Sequence, residues 1–264
     1  MKTNIYYNIF IFWLVLSAQT IIGQTQDSTR REILFPFTGG TQTPIGDLSS
    51  QYGNFLDATL GIDYKTTKRF TFGFGFDYLF EAPLNDVSMF EDLANDYNQF
   101  IGIDGTPVYP RVKGRGFKLE MKFGKIFPIT RQNQNSGIWL SYALGYLQHK
   151  VRIGGDLGLF PMLQDPYVKG YDRLSGGINH SIFIGYLYLP PLLQRNISDI
   201  PTYSNIFGLY AGIEINNAQT KSLRSFDFAS QVTPTKTNID QLIGLKVGWI
   251  FTLNNKKADG DIYY

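Results

Sequence analysis

The chain holds two histidines, His149 and His180, and no cysteine. Two imidazoles on different segments, with no thiolate, are too few for a histidine-rich metal site. His180 is followed by Ser181, a pairing that suggests the base and nucleophile of a lipid-hydrolysing protein. Neighbours along a strand point to opposite sides, however, so an outward His180 and an inward Ser181 cannot share one site. A histidine that hydrogen-bonds at the edge of an apolar belt accounts for His180 without chemistry. No cofactor is expected.

Two charged groups sit close together in the middle of the chain. Asp86, Glu91, Asp92 and Asp96 form an acidic run that would attract calcium, but the run lacks the spaced Asp/Asn ligands and Gly of a calcium loop. A solvated helix face is the simpler account. Arg111, Lys113 and Arg115 follow as a basic cluster on the same long connection. They have two possible uses, contact with the anionic groups of surface lipopolysaccharide or pairing with the acidic run.

A third set of charges has a different setting, because each member interrupts an alternating segment. In RFTFGFGFDYLF, residues 69–80, Phe70, Phe72, Phe74, Phe76, Tyr78 and Phe80 take every second place, and Arg69, Gly73, Gly75 and Asp77 lie between them. That is a strand with one aromatic face and one small or polar face. Gly116–Phe127 sets Phe117, Leu119, Met121 and Phe123 against Lys118, Glu120 and Lys122. The segment 55–65 sets Leu56, Leu60 and Ile62 against Asp57, Asp63 and Lys65. Glu214 and Lys246 occupy the same small-and-polar phase further on, the latter opposite Trp249. Large apolar residues facing lipid and small or charged ones facing a crowded lumen produce this pattern in an outer-membrane barrel. The expected lumen charge network is therefore Asp57, Asp63, Lys65, Arg69, Asp77, Lys118, Glu120, Lys122, Glu214 and Lys246. Phe70, Phe72, Phe74, Phe76, Tyr78 and Trp249 are expected to face lipid. Charges in a narrow lumen must pair or stay hydrated. The plain reading is a salt-bridge network holding strands together, and the sharper one a gate or proton-responsive plug.

Composition agrees with this architecture. Charged residues make up 17% and aromatics 16% of the chain, which is little charge and much aromatic surface for a soluble domain. The mean hydropathy of −0.13 is nonetheless ordinary, as it should be when only alternate strand residues are apolar. A net charge of +2 gives no argument for nucleic acid, and the aromatic stripe lacks the basic groove of a stacking platform. Lys2, the apolar run Ile9–Leu16 and the small residues Ala18 and Gly23 read as a signal peptide over 1–23, with cleavage after Gly23 or after Ala18. The remainder, 24–264, is expected to be one barrel domain.

Eight such segments can be laid out, giving an all-β, eight-stranded antiparallel up-and-down transmembrane β-barrel. The first, Glu32–Thr43, contains Pro36, which is expected at a rim or a bulge. Ser88 and Glu91 have capping-box spacing, so a helix is expected from Ser88 to about Tyr97, and Asp104-Gly105 is expected to turn. An even strand number puts both termini on one side, the periplasm, with the longer connections outside. The connection 189–205 is long for a periplasmic turn, and a partner contact there or on 81–114 would explain the lengths.

With the strands laid out, the chain resembles the small OmpA/OmpX-type barrels of Gram-negative outer membranes in architecture. LQHKVRI (147–153), KGYDRLSGG (169–177) and YLF (78–80) make it similar to an outer-membrane barrel family of the Bacteroidota. The resemblance implies location and fold and carries no activity, though some small barrels of that phylum are accessory parts of gliding and type IX secretion machines. Three functions follow as expectations: a non-enzymatic structural or accessory component touching a partner, a lipid-modifying enzyme with His180 or His149 as base, or a narrow channel.

Overall fold

Alternation of large apolar with small or polar residues becomes eight paired strands in a computed structural model that describes residues 29–95, 97, 99–154, 160–191 and 206–253. The expected signal peptide, Asp96 and most of the 189–205 connection lie outside the described residues. The strands are β1 (Glu32–Ile45), β2 (Phe55–Lys65), β3 (Phe70–Ala82), β4 (Arg111–Pro128), β5 (Gly137–Gly154), β6 (Ser175–Tyr188), β7 (Ile206–Ser222) and β8 (Thr237–Leu253). Each pairs antiparallel with its neighbours in sequence, and β1 closes on β8 from Ile33↔Leu253 to Ile45↔Gln241. Closure leaves no free sheet edge.

The start of β1 and the end of β8 lie at the end where the connections 66–69 and 129–136 are and where β6 ends and β7 begins. The connections 46–54, 83–110, 155–174 and 223–236 gather at the other end. These are called the short-turn and long-loop ends.

Pro36 lies inside β1, and neither a rim nor a bulge is needed. The β1–β2 register is Leu34↔Asp63 and then Phe37↔Leu60, so the ladder lapses at residues 35 and 36 without slipping. Proline has no N–H to give there. Its ring rests on Gly61, where an added Cβ would lie 2.9 Å from Pro36 Cγ.

The barrel wall obeys strand parity. Phe70, Phe72, Phe74, Phe76, Tyr78 and Trp249 all point outward and are 38–59% exposed. Leu60, Leu119, Ile182, Leu209 and Leu245 continue the same apolar belt around the wall. Inside, three layers stack along the axis. Near the short-turn end Leu34, Ile126, Phe183, Leu187, Leu189 and Ile250 surround Trp139, whose ring meets Phe183 and Tyr210 edge-on at 5.7 and 5.6 Å. The indole N–H donates to Thr71 Oγ1 at 3.1 Å. A polar, charged layer follows. Above it the loops fold inward, and Leu48, Tyr52, Phe55, Met89, Phe90, Phe160, Leu163 and Tyr171 form a second apolar cluster.

Those loops are more structured than their composition suggests. α1 (Asp47–Gln51) places Leu48 and, just after it, Tyr52 under the cap. The helix expected from Ser88 to Tyr97 is a 3-10 turn over Ser88–Leu93 with no side-chain cap, because Ser88 donates its hydroxyl and amide to Asp86 instead. Asp104-Gly105 does turn, with Gly105 at φ 81°, between short strands Phe100–Ile101 and Pro107–Val108. The polar residues 217–222 and 237–240, which read as loop in the sequence, continue β7 and β8, so the last loop is only 223–236.

Candidate functional site

The middle layer is a connected set of charges and amides. Lys118 on β4 places its Nζ 2.7 Å from Asp77 Oδ2, 2.6 Å from Glu214 Oε2, 2.9 Å from Asn216 Oδ1 and 3.9 Å from Glu120 Oε1. Lys246 on β8 reaches Asp77 Oδ2 at 2.8 Å, Glu214 Oε1 at 3.0 Å and Asp57 Oδ2 at 3.8 Å. Amides add donors to oxygens the lysines already reach, while Asp57 Oδ1 and Asp77 Oδ1 find no hydrogen-bond donor among the described residues. Gln42 Nε2 donates to Glu214 at 2.9 Å and to Asp57 at 3.2 Å, and Asn179 Nδ2 donates to Glu120 at 2.7 Å. Both lysines and all four acids are buried. Every strand except β5 supplies a member, so the network ties distant parts of the wall together across the lumen.

Asp77, Glu120 and Glu214 each offer a carboxylate oxygen within 4.8 Å of the others, a donor set of the kind that binds a divalent cation. Two ammonium groups already occupy the space among them. The cavity beside the network is about 30 Å³, lined by Thr59, Lys122, Ser141, Phe183 and Tyr210 among others, which is room for about one water.

Four expected members of the network stand elsewhere. Lys65 belongs to a separate cluster at the short-turn end, where its Nζ is 2.7 Å from Glu32 Oε2 and 2.8 Å from Asn135 Oδ1, and Arg30 Nε also bonds Glu32. Arg69 does not face the lumen from a strand. It takes φ 65° in the turn before β3, donates from Nη1 to Gln134 Oε1 at 3.3 Å, and accepts the Ile126 N–H. Asp63 is buried, and neither carboxylate oxygen finds a hydrogen-bond donor among the described residues. Lys122 is half-buried beside the small cavity and makes no ion pair among the described residues. Glu32, Gln42, Trp139 and Asp240 were not anticipated. Parity could have found them: Glu32 and Gln42 share the inward phase of Thr38, Trp139 that of Ser141, and Asp240 that of Lys246.

The histidines separate as expected. His180 is on the outer wall, its Nδ1 2.8 Å from the Tyr142 hydroxyl, while Ser181 points inward and is buried. His149 points inward beneath the cap. Its Nε2 is 2.8 Å from Asp240 Oδ2, Tyr52 meets its ring edge-on at 5.6 Å, and Thr220 Oγ1 donates to the same Asp240 oxygen at 2.5 Å. The Thr220 hydroxyl is thus bonded to the acid and offers the imidazole no nucleophile.

At the long-loop end the acidic run does not converge. Asp86 accepts from Ser88 Oγ at 2.5 Å and from Arg173 Nη1 at 2.8 Å, whereas Glu91 and Asp92 are exposed. The Ser88 hydroxyl, aided by the Arg173 guanidinium, holds the Asp86 carboxyl below the usual carboxylate range. Arg173 is also 4.0 Å from Asp227, and Arg224 is bonded to Asp172, so three loops are pinned together. Burial pushes the Tyr52 hydroxyl up. The basic cluster is not paired with this acidic group. Arg111, Lys113 and Arg115 lie on β4 itself, on its outward phase.

LQHKVRI and KGYDRLSGG, far apart in sequence, meet in space: Leu147↔Gly177, Gln148↔Gly176 and His149↔Ser175 are paired, and the Val151 N–H donates to the Asp172 carbonyl at 2.7 Å.

No family model matches the chain, and no curated protein matches it. Among solved structures, the crystal structure of Neisserial surface protein A is similar, with a TM-score of 0.38 and 9% identity over 84% of this chain and 97% of that one.

Proposed function

We propose that this protein is a non-enzymatic outer-membrane barrel that acts as a structural or accessory component, with its long loops outside, both termini in the periplasm and a protein partner bound through its connections. The observation that carries this reading is the contrast between wall and lumen. A continuous belt of Phe, Leu, Ile and Trp faces outward, a surface far larger than a soluble monomer leaves to water. The lumen between the two apolar clusters is filled with paired charge. An eight-stranded barrel filled in this way has no open path for solutes. Among the described residues neither histidine is hydrogen-bonded to a serine or threonine hydroxyl, and the Tyr142 hydroxyl that His180 meets lies on the open outer wall, which supports a non-catalytic role. Assignment to the Bacteroidota barrels, on LQHKVRI and KGYDRLSGG, is part of the same proposal, as is a place in a secretion or motility machine.

The test is affinity purification from mild detergent with the full chain, with 83–110 shortened and with 189–205 shortened. A partner recovered with the full chain and lost with one shortened connection is the expected result. Recovery of the bare barrel in every case would remove the accessory role.

A further inference from the structure

We propose that the outer wall of β4 and β5, at the long-loop end, binds a membrane lipid whose headgroup carries more than one phosphate. The proposal rests on the outer-membrane reading above. Parity sets Arg111, Lys113 and Arg115 in line above the apolar residues Phe117 and Leu119. The β4–β5 register then puts Lys113 opposite Arg152 and Arg115 opposite Lys150. Directly opposed residues share a face, and like charges so placed destabilise a sheet unless an anion lies between them.

Among the described residues little answers this charge. Glu81 Oε2 is 3.9 Å from Lys113 Nζ with both side chains nearly half exposed, and the Tyr78 hydroxyl accepts from Arg115 Nη1 at 3.3 Å. Asp172, at the edge, is already held by Arg224. Arg115 Nε is buried and has no hydrogen-bond partner among the described residues.

A groove of about 500 Å³ crosses this wall, and its lining passes from Arg152, Lys150 and Arg115 to Gln148, Phe117 and Tyr78. Cationic groups give way to aromatic ones in the direction in which a lipid gives way from headgroup to acyl chain. Residues two apart on a strand are about 7 Å apart, so the cations span more height than one phosphate fills. Arg and Lys hold phosphate through charge-assisted hydrogen bonds. A soluble phosphate would use only the cationic half of the groove, and a neutral lipid only the aromatic half.

The full-length protein, purified in detergent, is titrated with diphosphorylated lipid A, with the same lipid dephosphorylated and with inorganic phosphate, and bound ligand is read by native mass spectrometry. The variants are R115Q/K150Q/R152Q and, on the opposite rim, Lys125→Gln. Diphosphorylated lipid A should bind the wild type and Lys125→Gln alike and the triple variant at least about tenfold more weakly. The dephosphorylated lipid and inorganic phosphate should bind all three weakly. Undiminished binding by a folded triple variant overturns the site, as does equal binding of the dephosphorylated lipid. Inorganic phosphate binding as tightly as the lipid overturns the lipid assignment. In each of these cases a wild type that fractionates with the outer membrane leaves the broader reading standing. A wild type that fractionates elsewhere overturns both. Should the triple variant misfold, K150Q and R152Q singly carry the same test.

Discussion

Lys118 is the side chain on which most of the lumen depends. Its ammonium touches two carboxylates and an amide in a space closed to water. Removing one partner of a buried ion pair leaves the other charge uncompensated, at a cost of about 3–5 kcal/mol. Lys118→Ala should therefore lower the free energy of unfolding, read from urea titration in detergent micelles, by about 3–5 kcal/mol. Combining it with Asp77→Asn should cost less than the two single losses added, since both act on one network. Equal additivity would mean that the two residues do not share a network. On the proposed reading the outer wall meets lipid. Phe74 lies at the middle of β3 and is 59% exposed, and Phe74→Arg should cost about 2–4 kcal/mol in vesicles. A variant unfolding at the wild-type midpoint in vesicles would speak against lipid at this face.

At the scale of elements, the β1–β2 hairpin and the cap make separate demands. Gly61 gives Pro36 its room, and a Cβ there would also lie 3.1 Å from the Phe74 carbonyl oxygen. Gly61→Val should destabilise the barrel by about 1–3 kcal/mol, the usual range for overpacking, measurable as a lower temperature for loss of heat-modifiable gel mobility. The cap depends on the Asp86–Arg173 contact between two long loops. Asp86 is held below its ordinary range, so its contribution is fully present above about pH 4, the unfolded carboxylate value, and is lost as pH falls through the folded one. Pepsin should cut within 83–110 progressively faster as pH drops below about 4. Asp86→Asn should already be cut faster at pH 5, where the wild type is still protected, so matching rates there would exclude the contact as the lock.

For the whole molecule, the closed lumen predicts electrical silence. Planar bilayers holding the wild type should show conductance near background, and shortening 83–110 should leave it there, because the charge network and the Trp139 cluster lie below the loops. Stepwise openings in the wild type would mean that the lumen charges move as a gate.

Alternation alone determined the strands, the face of nearly every side chain in them and the barrel class, since a period of two is a local property of sequence and an apolar outer wall imposes it on every strand; Arg69, expected inward, fell in the turn before β3. It put Asp57, Asp77, Lys118, Glu120, Glu214 and Lys246 inside, and they meet there. It could not decide how high along the axis each charge sits, because height depends on the stagger between strands. Lys65 thus falls in a cluster with Glu32, and Lys122 beside the small cavity. Tertiary structure alone paired Asp86 with Arg173 through loop folding, His149 with Asp240 across the closed lumen and Lys113 with Arg152 through the register of neighbouring strands. The basic cluster changed most. Read along the chain it belonged to a loop beside acidic residues, and the β4–β5 register turned it into a cationic rim above the apolar wall.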